Sequence, residues 1–130
     1  MPKKYRELSA AEWELMDVIW KAGQPVTVRD VLETAYPQAE KAYTTVQTLL
    51  NILVDKGFLL RRKAGKANRY TPVVPREDIL RGSLATMAQR MFEGSVGAMA
   101  SFLVRGGKLK PDEVQELKQL LDEQGEGDQA

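Results

Sequence analysis

Residues 41–57 read Lys-Ala-Tyr-Thr-Thr-Val-Gln-Thr-Leu-Leu-Asn-Ile-Leu-Val-Asp-Lys-Gly, and they restrict what the chain can become. Val46, Leu49, Leu50, Leu53 and Val54 recur at three- and four-residue steps, the period of one apolar helix face. Gly57 follows the last periodic residue, where helices commonly end in a left-handed residue. The other face opens with Tyr43, Thr44, Gln47, Thr48 and Asn51, all uncharged and able to donate and accept hydrogen bonds. Such a helix can bury one side and press the other into a DNA major groove. An ordinary solvated face on a core helix fits this stretch alone equally well, so its neighbours have to decide.

Upstream, Ser9 and Glu12 have capping-box spacing, with Leu8 placed to staple against Trp13. The helix they open runs to about Ala22, turns Leu15, Met16, Ile19 and Trp20 inward, and stops at Gly23-Gln24-Pro25. Trp13 and Trp20 read as core packing. Val26 offers one short strand. Thr27 then caps a second helix with Val28, Val31, Leu32 and Ala35 on its apolar side, ended by Tyr36-Pro37. A tight connection over residues 37–40 leads straight into the 41–56 helix. Two short helices joined in this way form a helix-turn-helix unit whose second member is the reading helix.

Downstream the period changes. Residues 58–63 read as a strand, Ala64-Gly65-Lys66-Ala67 as a turn, and residues 68–74 as the returning strand, with Pro72 confining it to an edge. This hairpin carries Arg61, Arg62, Lys63, Lys66 and Arg69, with no acid between Lys56 and Glu77. Alone, a basic hairpin is a solvated edge that discourages aggregation. Placed directly after a helix-turn-helix, it reads as the wing of a winged helix. Its five bases are then candidates for phosphate contacts, with Arg29 and Lys41 as weaker ones. Tyr43, Thr44, Thr45, Gln47 and Thr48 are the candidates for base recognition, through base edges or thymine methyls. Charge is divided accordingly: residues 1–74 hold 12 Lys/Arg against 8 Asp/Glu, a net +4, and residues 75–130 hold 7 against 10, a net −3. A basic first half suggests that only this half meets a polyanion.

Pro75 is read as the boundary, giving a winged-helix domain over residues 1–74. A helical region follows over residues 75–123, and a disordered tail over residues 124–130. The first of three expected helices carries Leu80, Leu84, Met87 and Met91 at heptad-like spacing, and Gly94 breaks it. The second is rich in small and apolar residues around Phe102. The third starts at Pro111 and holds Leu117, Leu120 and Leu121. About fifty residues bury this much apolar surface poorly on their own. Pairing with a second copy is the simple solution, a two-fold homodimer the commonest form. The alternative is that these helices fold back on their own winged helix.

The fold class expected is mainly α with a small β-hairpin: an N-terminal winged helix-turn-helix, then a three-helix dimerisation region. The chain has no cysteine and no histidine, which removes disulfides, thiolate nucleophiles, zinc fingers and imidazole acid–base chemistry. No nucleophile–base arrangement or phosphate-cradling glycine loop appears, so neither an enzyme, a cofactor nor a metal is expected. No apolar segment approaches the ~20 residues that span a bilayer, so no membrane insertion is expected. A disulfide-free chain is compatible with the cytosol, and the opening Met1-Pro2-Lys3-Lys4-Tyr5-Arg6 is basic but lacks the apolar run of a signal peptide.

Taken together, the parts resemble the penicillinase-repressor (BlaI/MecI/CopY) family of winged-helix regulators over about residues 8–122. The most specific stretch is Tyr43-Thr44-Thr45-Val46-Gln47-Thr48-Leu49-Leu50 with Lys56-Gly57. Glu12-Trp13, Met16, Ile19-Trp20, Val28-Arg29-Asp30-Val31, the wing Gly65-Lys66-Ala67 with Tyr70-Thr71-Pro72, and Phe92-Glu93-Gly94-Ser95 support it. The resemblance implies a cytoplasmic homodimeric repressor on an inverted-repeat, double-stranded operator, controlling β-lactamase or cell-envelope genes. It also implies relief by a membrane metallopeptidase sensor or a protease dependent on it, which cuts the dimerisation region. By position the cut falls at Ser101-Phe102, where Ser101 replaces the family's Asn. The metal-binding cysteines of the copper-responsive branch are absent. Lys110 stands where a Ser or Thr cap is usual before Pro111. Two other readings stay open: a ligand-sensing winged-helix repressor, and a winged-helix protein–protein interaction module.

Overall fold

The computed structural model describes residues 7–128, with side chains described through residue 125; the basic opening and the last two residues lie outside the described part. The elements are α1 (Ala10–Ala22), α2 (Val28–Ala35), α3 (Tyr43–Asp55), β1 (Leu59–Ala64), β2 (Ala67–Pro72), α4 (Arg76–Met91), α5 (Val96–Arg105) and α6 (Pro111–Asp128). The chain is mostly helical with one antiparallel hairpin, as expected.

Both helices before α3 begin with reciprocal side-chain caps. At α1, the Glu12 amide donates to Ser9 Oγ at 3.2 Å and Glu12 Oε1 accepts the Ser9 amide at 2.7 Å. At α2, the Asp30 amide donates to Thr27 Oγ1 at 3.1 Å and Asp30 Oδ2 accepts the Thr27 amide at 3.0 Å. Each box satisfies amides that a helix start leaves without partners. α1 ends at Gly23, whose φ of 67° is cheap only without a Cβ.

The core collects the faces these starts align. Leu15, Met16, Ile19, Val31, Val46, Leu50, Leu53, Phe58 and Tyr70 are sealed from solvent. Leu8 and Trp13 pack against that cluster. Trp20 packs there too, and its indole N–H donates to the Val74 carbonyl at 3.0 Å, tying α1 to the chain just past the hairpin. Val26 pairs with Tyr70 through two backbone bonds of 3.0 and 2.8 Å, adding a one-residue third strand.

The hairpin register pairs Arg61 with Tyr70, Arg62 with Arg69, Lys63 with Asn68 and Ala64 with Ala67. That leaves Gly65-Lys66 as a two-residue turn, with Gly65 at φ 67°. Glycine in left-handed conformation at the first turn position matches the twist of the two strands.

The chain divides into compact units at Leu84/Ala85, within α4, rather than at Pro75. Pro75 sets a helix start, but it does not end the core. Ile79, one turn into α4, is buried with the N-terminal core residues, and Arg76 Nε lies 3.3 Å from Asp17 Oδ1. In residues 85–128, Glu93 and Gly94 at φ 53° and 84° turn the chain after α4. Ser95 Oγ accepts the Ala98 amide at 2.9 Å and starts α5. Glu113 Oε1 accepts the Lys110 amide at 2.9 Å, so part of the cap at α6 survives without a Ser or Thr. Phe92 and Phe102 meet with ring centroids 5.9 Å apart. A second difference concerns the expected tail from residue 124, because α6 continues through Asp128. Glu and Gln are strong helix formers, and a glycine costs a propagating helix about 1 kcal/mol without breaking it.

Candidate nucleic-acid interface

α3 is oriented by its buried stripe of Val46, Leu50 and Leu53, so the remaining positions are turned outward. Thr44 and Thr48, one turn apart, are exposed, as is Tyr43; Gln47 and Asn51 are half-buried along one flank. Thr45 is exposed too, but about 100° further round the helix from Thr44. No charged side chain interrupts this surface before Asp55. Unlike α1 and α2, α3 has no side-chain cap, because Ala42 precedes it.

The Tyr43–Gln47 flank faces the hairpin. A groove of about 300 Å³ is lined by Thr27 and Arg29 from the start of α2, Tyr43 and Gln47 from α3, and Lys66 and Asn68 from the wing. The Arg29 guanidinium sits 5.7 Å from the Tyr43 ring centroid, with Glu33 3.9 Å from the same guanidinium. Two expected phosphate ligands, Arg29 and Lys66, thus share one groove with two expected base readers. Lys41 is elsewhere: its ammonium lies 5.5 Å from the ring centroid of Tyr36 at the end of α2. Burial and the nearby Glu14 carboxylate push the Tyr36 hydroxyl above its ordinary range, so Tyr36 is a neutral platform.

The five wing bases are not equivalent. Directly paired residues of an antiparallel hairpin point to one side. Arg61 therefore shares a side with buried Tyr70, and Lys63 with Asn68, whereas Arg62 and Arg69 share the other. Arg61 Nη1 donates to Asn51 Oδ1 at 2.8 Å, and the Tyr70 hydroxyl donates to the same oxygen at 2.9 Å. Burial pushes Tyr70 above its ordinary range, which keeps it a neutral donor. All five bases, Arg61 included, are exposed. Sequence reasoning left out Thr27 and Asn68, which contribute to the groove, and gave Asn51 no role beyond its place on the polar face. Only the contact between α3 and β1 reveals what Asn51 holds.

A helix-turn-helix followed by a basic two-stranded wing, with an uncharged hydrogen-bonding face on the second helix, defines a winged-helix DNA-binding module. The sequence profile described as penicillinase repressor matches residues 8–123, and the chain belongs to that family of transcriptional repressors. It is 34% identical over 122 residues to the transcriptional regulator BlaI of Mycobacterium tuberculosis, covering 92% of this chain and 86% of that one. It is 30% identical to the penicillinase repressor of Bacillus licheniformis, over 93% of this chain and 94% of that one. It is 29% identical to the methicillin resistance regulatory protein MecI of Staphylococcus aureus, over 93% and 98%. The solution structure of the DNA-binding domain of the repressor BlaI matches with a TM-score of 0.51 and 34% identity, over 59% of this chain and 93% of that domain. These relatives are regulators, not enzymes. No helix among the described residues is long and apolar enough to cross a membrane.

Proposed function

We propose that this repressor binds an inverted-repeat operator in double-stranded DNA as a homodimer and blocks transcription in the cytoplasm. Thr44, Thr48, Tyr43 and Gln47 read bases, with Thr45 contributing from the flank. Arg29, Arg61, Arg62, Lys63, Lys66 and Arg69 hold phosphates, and Lys41 is a peripheral cation. The observation that carries this reading is the groove that brings Arg29 and Lys66 beside Tyr43 and Gln47. A face built only for solvent has no need of cations from two separate elements converging on an uncharged helix flank.

Pairing is supported by what residues 85–128 leave uncovered. Only Ala88 and Met99 are buried among the described side chains there. Met91, Phe102 and Leu121 remain 69, 68 and 70% exposed, and Met87, Leu117 and Leu120 are exposed as well. Leu80 and Leu84, just before them on α4, are half-buried and exposed respectively. So many exposed apolar side chains within residues 85–128 mark an interaction site. Relief follows from a cut at Ser101-Phe102, both exposed on α5, by a membrane metallopeptidase sensor or its dependent protease. Such a cut separates α6 from the rest and weakens pairing. A monomer keeps one half-site and loses the effective concentration of the second.

Fluorescence anisotropy with the chain's own upstream DNA, alongside analytical ultracentrifugation, tests the reading. A dimer that binds an inverted repeat far more tightly than one half-site is expected. A monomer at micromolar concentration, or indifference to its upstream DNA at low salt, would sink it.

A further inference from the structure

Arg61 differs from the other wing cations in how it is held. Its guanidinium is tied to Asn51, on the third turn of α3, by a 2.8 Å bond. The same oxygen is fixed from the other side by the Tyr70 hydroxyl at 2.9 Å. Tyr70 cannot wander: it is sealed in the core and its backbone is paired with Val26. Asn51 therefore sits between a rigid donor and a long, otherwise mobile cation. A carboxamide oxygen has two lone pairs, and here both are engaged.

We propose that Asn51 is a positioning residue for DNA binding: by holding Arg61 against the reading helix, it presents the guanidinium to the DNA backbone from a fixed place. The inference rests on the DNA-binding reading above. An arginine has five N–H donors in a rigid fork, and the bond to Asn51 uses one of them. The rest can still meet a phosphate, and the rotamer freedom that phosphate capture would otherwise cost has been removed beforehand. Arg61 is exposed like Arg62, Lys63, Lys66 and Arg69; the bond to Asn51 sets it apart, and the other four must be ordered on binding. The tie also crosses from α3 to β1, so a phosphate held by Arg61 is in register with the bases the helix reads. Asn51 itself need not touch DNA.

The test measures operator affinity against salt for wild type, Asn51→Ala, Arg61→Ala, the double variant and Tyr70→Phe. Arg61→Ala is expected to weaken binding about tenfold, more than Arg62→Ala, and to flatten the salt slope by about one. Asn51→Ala should reproduce most of the loss and part of the change in slope, although it removes no charge. The double variant should be no worse than Arg61→Ala alone. Tyr70→Phe, which frees Asn51 from its rigid donor, should lower thermal stability and change the salt slope in the same direction as Asn51→Ala but by less. A wild-type slope in Asn51→Ala, or losses that add in the double variant, would overturn the assignment. A second measurement needs no variant. The guanidinium ¹⁵N signals of Arg61 in the free protein should show slower rotation than those of Arg62 and Arg69, and equal rotation would count against the tie. If the wild-type protein ignores its operator, the DNA-binding reading itself fails, whatever Asn51 does.

Discussion

Lys56 closes on Glu12 across 44 residues of chain, its ammonium 2.9 and 2.8 Å from the two carboxylate oxygens. Glu12 is the one buried charged side chain among those described, and its Oε1 also accepts the Ser9 amide. A single carboxylate thus completes the start of α1 and anchors the end of α3. Burial alone would raise its pKa, but the bonds from Lys56 and Ser9 outweigh that and hold it below the usual 4.5.

The sign of the pH dependence follows. A carboxylate whose folded pKa is depressed contributes stability at pH values above its unfolded pKa. That contribution is lost as pH falls through the lower folded value. Thermal melts between pH 7 and pH 2 should show a loss below pH about 4.5 that is smaller in Glu12→Gln. Lys56→Met strands the buried carboxylate and should cost about 3 kcal/mol at pH 7. A Lys56→Met protein as stable as wild type would show that the pair contributes nothing.

Thr48→Ala removes a hydroxyl and a methyl from the outermost face of α3 without touching the core. Operator affinity should fall by about 1–3 kcal/mol, with discrimination lost at one base pair per half-site. Binding to unrelated DNA and the salt slope should stay as they were. A systematic base-substitution series of the half-site, read by competition, locates the position.

Lys66→Ala should act in the opposite manner. It should weaken binding to every sequence alike and reduce the salt slope by about one, because a phosphate ligand releases one counterion. A changed sequence preference with an unchanged slope would place Lys66 against a base instead.

Leu121→Glu puts a charge on the most exposed leucine of α6. If this surface meets a second copy, sedimentation should show the dimer dissociating at least tenfold more readily, since burying an unpaired carboxylate is costly. Affinity for one isolated half-site should be unchanged. The same dimer constant in both proteins would exclude this surface from the interface.

Local signals made the winged helix readable from sequence. Ser9/Glu12 and Thr27 announce helix starts, Gly57 and Pro37 announce stops, and the apolar stripe of α3 announces which face is buried. The wing was legible because Gly65 and Pro72 permit only certain turn and edge geometries. Two elements escaped. The first turns of α4 belong to the N-terminal core because Ile79 packs there, a long-range contact that no local pattern encodes. The end of α6 ran past its glycines because helix propagation is cheap once begun. Within the site, the five cations looked alike as letters. Strand alternation separates Arg61 from Arg62, and only the position of Asn51 on the facing helix shows that Arg61 is held.

α3 carries no charge from Tyr43 to Val54, while the wing holds a cluster of cations. In the proposed reading, generic grip and fine choice therefore fall to different pieces of chain. A descendant could acquire a new target by exchanging one or two small side chains on the rod. Its ability to scan any duplex would be inherited intact, so such a lineage can rewire which promoter it silences without first learning again how to hold DNA.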